Sequence, residues 1–269
     1  HILHAASEVV TYRMFGLDYY DAVFVSGDYQ TRDLRALEKL RNLPPREVEK
    51  IGVPYLDEMK KRLERSGPVK AHPTTVLVAP SWGPSAIFSK FGGEIIGKLM
   101  EAGFHVIVRP HPQSFTSEKE LMEGLMKEYP QSDRVEWNRD ADNFEVLRRS
   151  DILISDFSGV IFDFALVFDK PVIYADTQFD KGPYDCWWLD TPLWTFEILP
   201  KIGEQLTQEN FDALGTLVAR CMKDEKYTQG RNQAREETWA YSGESAVRAA
   251  EYLEKKVREL AGKNKENEQ

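Results

Sequence analysis

The apolar positions follow two patterns that alternate along most of the chain. Runs of four or so apolar residues, such as "AVFV" at 22–25 and "TVLV" at 75–78, precede stretches in which apolar residues recur every three or four positions, as Leu34, Leu37 and Leu40 do. The first pattern is that of buried strands and the second that of amphipathic helices. "DAVFVSG" and "EVEKIGVP", each with a helical stretch after it, predict a strand–helix–strand–helix unit and hence parallel pairing. "GPVKAHPTT" is proline-rich, polar and irregular, and reads as a linker. Beyond it "TVLVAPSW", "HVIVRPHP", "RVEWNRD", "DILISDFSG" and "KPVIYAD" predict five strands separated by helices. Strands that are apolar nearly throughout belong to a parallel sheet covered on both faces. Two further helices are expected over roughly 208–223 and 244–260, and the polar run "AGKNKENEQ" predicts a disordered tail.

Composition narrows the function classes. The chain has 269 residues, 42% hydrophobic and 29% charged, enough for a substantial core, and a net charge of −9 argues against a broad nucleic-acid footprint. A local basic pocket for a small anion stays compatible with that charge. Cys186 and Cys221 have no metal-ligand spacing and suggest no disulfide framework, which fits a reducing compartment. No run reaches the ~20 apolar residues of a membrane span. The chain opens at His1 without methionine, and the part before the linker supplies only two strand–helix units, so part of an N-terminal lobe is expected to be missing.

Ligands of such sheets bind beyond the carboxyl ends of the strands. The chemistry-bearing residues fall there: Ser81 and Trp82 after the first strand of the second lobe, Arg109 and His111 after the next, Asp156, Ser158 and Gly159 after the fourth, and Asp176 after the fifth. In "VIVRPHP" two prolines fix the backbone around His111, and Arg109 and His111 are expected to point into one crevice, the arginine gripping phosphate oxygens and the histidine donating to a developing charge or moving a proton. In "ISDFSGVIFDF" the Ser158 hydroxyl and the N–H groups of 158–160 stand at a helix N-terminus, suited to a diphosphate; Ser158 as a plain helix cap is the competing reading. Asp163, in an otherwise apolar helix, is expected to take a buried hydrogen bond from the "PSW" loop or to pair with a backbone N–H. Gly243 and Ser245 stand at a further helix start. His1 and His4 are three apart but have no convincing third ligand, so no metal site is expected; the near-neutral pKa of histidine makes His4 chemically suitable as a general base. The P-loop, dinucleotide-binding and nucleophile-elbow signatures are absent.

Taken in order, "VLVAPSW", "VIVRPHP" and "SDILISDFSGVIFDFALVFDKPVIYAD", preceded by "YYDAVFVSGDYQTRDL" and "VEKIGVPYLDEM", resemble the CDP-glycerol glycerophosphotransferases that build bacterial teichoic acids. The resemblance implies an α/β, GT-B-like fold. Its division would be a partial N-terminal, acceptor-side α/β lobe over 1–66, a linker over 67–74, a Rossmann-type nucleotide-binding lobe with C-terminal helices over 75–260, and a tail over 261–269. It also implies catalytic roles for His4 and His111, with Arg109 beside the latter and Ser158 on the phosphate turn; together with the residues read above, the expected donor contacts are Arg109, Ser81, Trp82, Asp156, Ser158, Gly159, Asp163 and Ser245. No cofactor is implied beyond the substrate CDP-glycerol or a related nucleotide diphosphate. The expected partners are that donor and a polyol phosphate or glycan acceptor, which can be lipid-linked, with the whole protein at the inner face of the cell membrane. Two motifs depart from the family: Pro80-Ser81-Trp82-Gly83 stands where Pro-Thr-Trp-Arg is usual, and Ser158-Gly159 where two serines are usual. A GT-B glycosyltransferase, a UDP-sugar 2-epimerase-like enzyme and a non-catalytic nucleotide-binding module are the alternative readings.

Overall fold

A computed structural model describes residues 1–3, 6–9, 12–175, 181–182 and 185–267. His4 and Asp176 lie outside the described residues. The chain divides into two compact units.

The first unit begins with His1–Lys61. Strand β1 (Ala22–Val25) leads into helix α1 (Asp28–Leu40), and β2 (Glu47–Lys50) into α2 (Pro54–Arg65). The two strands pair in parallel from Ala22↔Glu47 to Val25↔Lys50, and Ile2 adds a parallel bridge to Phe24. Strand alternation divides the core: Val23 and Val25 pack with Leu3, Val9, Leu17 and Leu34, while Phe24 faces Ile51 and Ala249.

The second unit comprises Arg62–Asp180 and Pro192–Ala234. It holds β3 (Thr75–Val78), α3 (Ile87–Phe91), α4 (Glu94–Glu101), β4 (His105–Val108), α5 (Ser114–Ser117), α6 (Lys119–Glu128), β5 (Val135–Trp137), α7 (Phe144–Arg149), β6 (Ile152–Ser155), α8 (Val160–Phe162) and β7 (Val172–Ala175). After α8 the helix continues over Asp163–Val167 with π-type hydrogen bonding. Then come α9 (Trp194–Ile202), β8 (Gly203–Leu206), α10 (Leu214–Cys221) and α11 (Lys226–Thr238), of which α11 runs past the unit's last residue. The six strands form one parallel sheet in the order β5-β4-β3-β6-β7-β8. The α/β class and the parallel sheet are as expected, with β8 as a sixth strand. From β3 the chain winds outward to β5, then returns to β6 beside β3 and winds the other way. The order thus reverses between β3 and β6, and beyond their carboxyl ends lies the crevice of a doubly wound sheet. β3, β6 and β7 are buried along their whole length, as double coverage by helices requires.

Lys181–Thr191 and Arg235–Gln269, with helix α12 (Ser245–Asn267), belong to the first unit. This corrects the expectation that everything from 75 to 260 forms one lobe. The cause is Asp57: its buried carboxylate accepts the Trp239 indole N–H at 2.7 Å, the Gly243 N–H at 2.7 Å and the Ser245 N–H at 3.0 Å. Gly52, at φ +89°, lets the Ala240 carbonyl approach to where a Cβ would stand only 2.0 Å away. α12 also carries helical backbone into the stretch expected to be disordered. Among the described residues no helix is long and apolar enough to cross a membrane.

Candidate functional site

The site is built at the switch point of the six-stranded sheet. Asp156, the residue after β6, is 1% exposed and anchors the loop that follows β3. Its carboxylate accepts the Ser81 N–H at 3.0 and 3.1 Å, the Ile87 N–H at 3.2 Å and the Phe157 N–H at 2.8 Å. Burial raises its pKa, and the hydrogen bonds from Ser81, Ile87 and Phe157 oppose the rise. The far end of the same loop is gripped by Glu118, at the start of α6, whose Oε1 accepts the Gly83 N–H at 3.0 Å. Two carboxylates therefore fix the "PSWG" loop with Trp82 half exposed at its tip. Asp156 is a positioning group and not the direct donor contact that the sequence suggested. Gly83 has φ +93°, a conformation that strains an arginine, so the departure from Pro-Thr-Trp-Arg is matched by the backbone here.

His111 stands beyond β4, its ring centroid 6.5 Å from that of Trp82. The Gln113 N–H donates to its Nδ1 at 3.1 Å. An Nδ1 that accepts a hydrogen bond cannot carry the proton, so the neutral ring bears it on Nε2. Desolvation lowers the His111 pKa, the Asp156 charge opposing it, which also favours the neutral ring at physiological pH. The geometry makes His111 a neutral donor through Nε2–H.

Arg109 does not share the crevice with His111 as expected. Its guanidinium donates to the Asn138 side chain and, at 2.8 Å, to the Asp140 carbonyl, both beyond β5. Asn138 is buried and its Nδ2 already donates to Glu136 and Asp140, so its Oδ1 needs a donor, and Arg109 supplies it.

No side chain caps the helix that starts after Gly159, and the Ser158 hydroxyl has no partner among the described residues, which removes the plain-cap reading. The N–H groups of Ser158, Gly159 and Val160 likewise donate to no described residue. Gly159 has ordinary helical angles, and a Cβ there would meet nothing within 4 Å. Neither strain nor packing therefore calls for this glycine. Open space above three unpaired N–H groups is the arrangement that admits an anion.

Asp163 is linked to the Asn143 side chain and not to the "PSW" loop, whose Ser81 N–H is held by Asp156. Burial pushes its carboxyl up to about 7. Ser245 lies in the first unit, fully buried at the start of α12, and its N–H donates to Asp57. Glu118, Asn138 and Asn143 were not singled out from the sequence. Polar residues in loops carry no periodic signal, and only their partners reveal them.

Comparison with known proteins bears on this site. The family model described as CDP-glycerol:poly(glycerophosphate) glycerophosphotransferase matches residues 14–255. No curated protein matches. Among solved structures, a putative UDP-N-acetylglucosamine 2-epimerase from Listeria monocytogenes is similar at TM-score 0.57 and 14% identity, over 89% of this chain and 60% of that one. Anabaena HepE, solved in complex with UDP and glucose, has TM-score 0.49 and 12% identity over 96% and 70%. A sucrose-phosphate synthase from Thermosynechococcus elongatus has TM-score 0.48 and 16% identity over 93% and 60%. The first likeness supports the fold alone. The chain spans between 60% and 70% of the length of these three proteins.

Proposed function

Because the chain belongs to the CDP-glycerol:poly(glycerophosphate) glycerophosphotransferase family, we propose that it moves glycerophosphate, or a similar polyol phosphate, from a CDP-activated donor to an acceptor hydroxyl during synthesis of a teichoic-acid-like or capsular polymer. The observation that carries the reading is the turn at 158–160, three unpartnered N–H groups and a free hydroxyl beside an unfilled space at the sheet's switch point. The donor diphosphate sits over this turn. The acceptor oxygen attacks the β-phosphorus, the bond from that phosphorus to the bridging oxygen breaks, and CMP leaves. Charge growing on the leaving phosphate is met by the turn N–H groups and by Nε2–H of His111, fixed donors that need no reorganisation. The acceptor proton passes to His4 on the family resemblance alone. Trp82, half exposed on a doubly anchored loop, offers a flat apolar face toward the donor. Arg109 supports the site through the β5 loop.

The direct test compares CDP with CMP by calorimetry. Ser158→Ala should weaken CDP by ~1–2 kcal/mol more than CMP, the worth of one hydrogen bond to a charged group. Equal losses for both nucleotides would end the assignment of this turn to the distal phosphate.

His111→Ala should lower kcat by roughly 10²-fold while leaving CDP affinity within a few-fold, because a donor aimed at developing charge acts mainly in the transition state. Steady-state kinetics in a multi-subunit-free assay of donor turnover, with acceptor saturating, reads this directly. Unchanged kcat would remove His111 from the reaction.

A further inference from the structure

The ring of Trp82 is 48% exposed, and among the described residues its indole makes no hydrogen bond and meets one other ring, that of His111. The backbone on either side must therefore place it. Before it, the Ser81 N–H is held by Asp156. After it, the Gly83 carbonyl accepts the Ala86 N–H and the Ser89 hydroxyl, both at 3.0 Å, donors from the same loop and from α3 that set the loop's own shape. The Gly83 N–H reaches another part of the chain, donating to the Glu118 carboxylate at 3.0 Å. Glu118 makes no ion pair and no other side-chain hydrogen bond among the described residues.

Glu118 and His111 are the two ends of one hydrogen-bonded turn. The Ser114 N–H donates to the His111 carbonyl at 2.9 Å, the Glu118 N–H to the Ser114 carbonyl at 2.9 Å, and the Gln113 N–H to the His111 ring. Ser114, in the middle, is buried. The parts close a circuit: Trp82 is joined covalently to Gly83, Gly83 to the Glu118 carboxylate, Glu118 through the turn to His111, and the His111 ring centroid stands 6.5 Å from that of Trp82. We propose that Glu118 is a positioning residue of the donor site, whose carboxylate holds Trp82 opposite His111 before any nucleotide arrives. A ring held in place beforehand gives up little freedom on binding, and freedom lost at that step is subtracted from affinity. This role rests on the transferase reading above and adds to it the group that sets the spacing of the two rings.

The probe is CDP, titrated calorimetrically into the full chain, with thermal melting of each variant to confirm that folded protein is compared. Glu118→Ala should weaken CDP about fivefold, the cost of ordering the loop on binding. Glu118→Gln keeps an oxygen that accepts the Gly83 N–H and should bring affinity back to within about twofold of the unaltered chain. Ser89→Ala, which leaves the Ala86 N–H on the Gly83 carbonyl, should also stay within about twofold. In a Trp82→Ala background Glu118→Ala should add no further loss, because two changes that act through one ring are not additive. Full CDP affinity in Glu118→Ala, an equal loss in Glu118→Gln, or additive losses in the double variant overturns the role of Glu118 and leaves the donor reading standing. A chain that fails to bind CDP before any substitution overturns both.

Discussion

Asp156→Ala should lower the melting temperature by roughly 6–12 °C, the shift that a loss of ~3 kcal/mol produces in a chain of this size. The carboxylate holds the N–H groups of Ser81, Ile87 and Phe157, and its removal leaves that of buried Ile87 and those of half-buried Ser81 and Phe157 without their acceptor. Each orphaned donor costs ~1–3 kcal/mol, against which stands the relief of no longer burying a charge. CDP affinity should fall with stability, because the loop bearing Trp82 and the turn bearing Ser158 lose their common anchor. Thermal melting followed by circular dichroism checks the first effect. A shift of under a degree would mean that the three N–H groups find other acceptors.

Asp163→Asn is expected to act in the opposite direction, and only at high pH. Burial lifts the folded-state pKa of this carboxyl to about 7 from an unfolded value near 3.8. Between those values the folded chain keeps a proton that the unfolded chain releases, so unfolding is increasingly favoured as pH rises through the window. The penalty is absent below about pH 4 and complete above about pH 7, with an upper bound of ~4 kcal/mol from the size of the shift. Asparagine has no charge to bury and can still bond Asn143. The variant should therefore melt close to the unaltered protein at pH 4 and several degrees above it at pH 8. A gap independent of pH would show that Asp163 gains its charge without cost.

The strands β3, β4, β6 and β7 were legible because a doubly covered strand has to be apolar at nearly every position. β8, "GEQL", was not: it lies at the sheet edge, where half its residues face water and no run forms. α11, "KYTQGRNQAREET", is polar almost throughout and hides its helical period, and α9 carries Pro200 in its last turn. The open turn at Ser158-Gly159 could be read from the sequence because its geometry is local. The roles of Arg109, Asp163 and Ser245 could not, because each is decided by a partner far away in sequence: Asn138 and Asp140, Asn143, and Asp57. The proton position on His111 depends on one backbone N–H two residues on, a geometry that spacing alone does not reveal.

The discontinuous make-up of the first unit sets an order of events during synthesis. β1 and β2 are made before the second unit, yet the groups that satisfy Asp57 and the Thr238 hydroxyl that bonds Tyr29 lie after it, in Arg235–Gln269. The second unit ends at Ala234 and has every residue of its sheet available before that segment is made. The nascent chain thus has the second unit's sheet available while β1 and β2 still await the segment that satisfies Asp57 and Tyr29, a period in which strands that lack their packing partners are open to wrong ones.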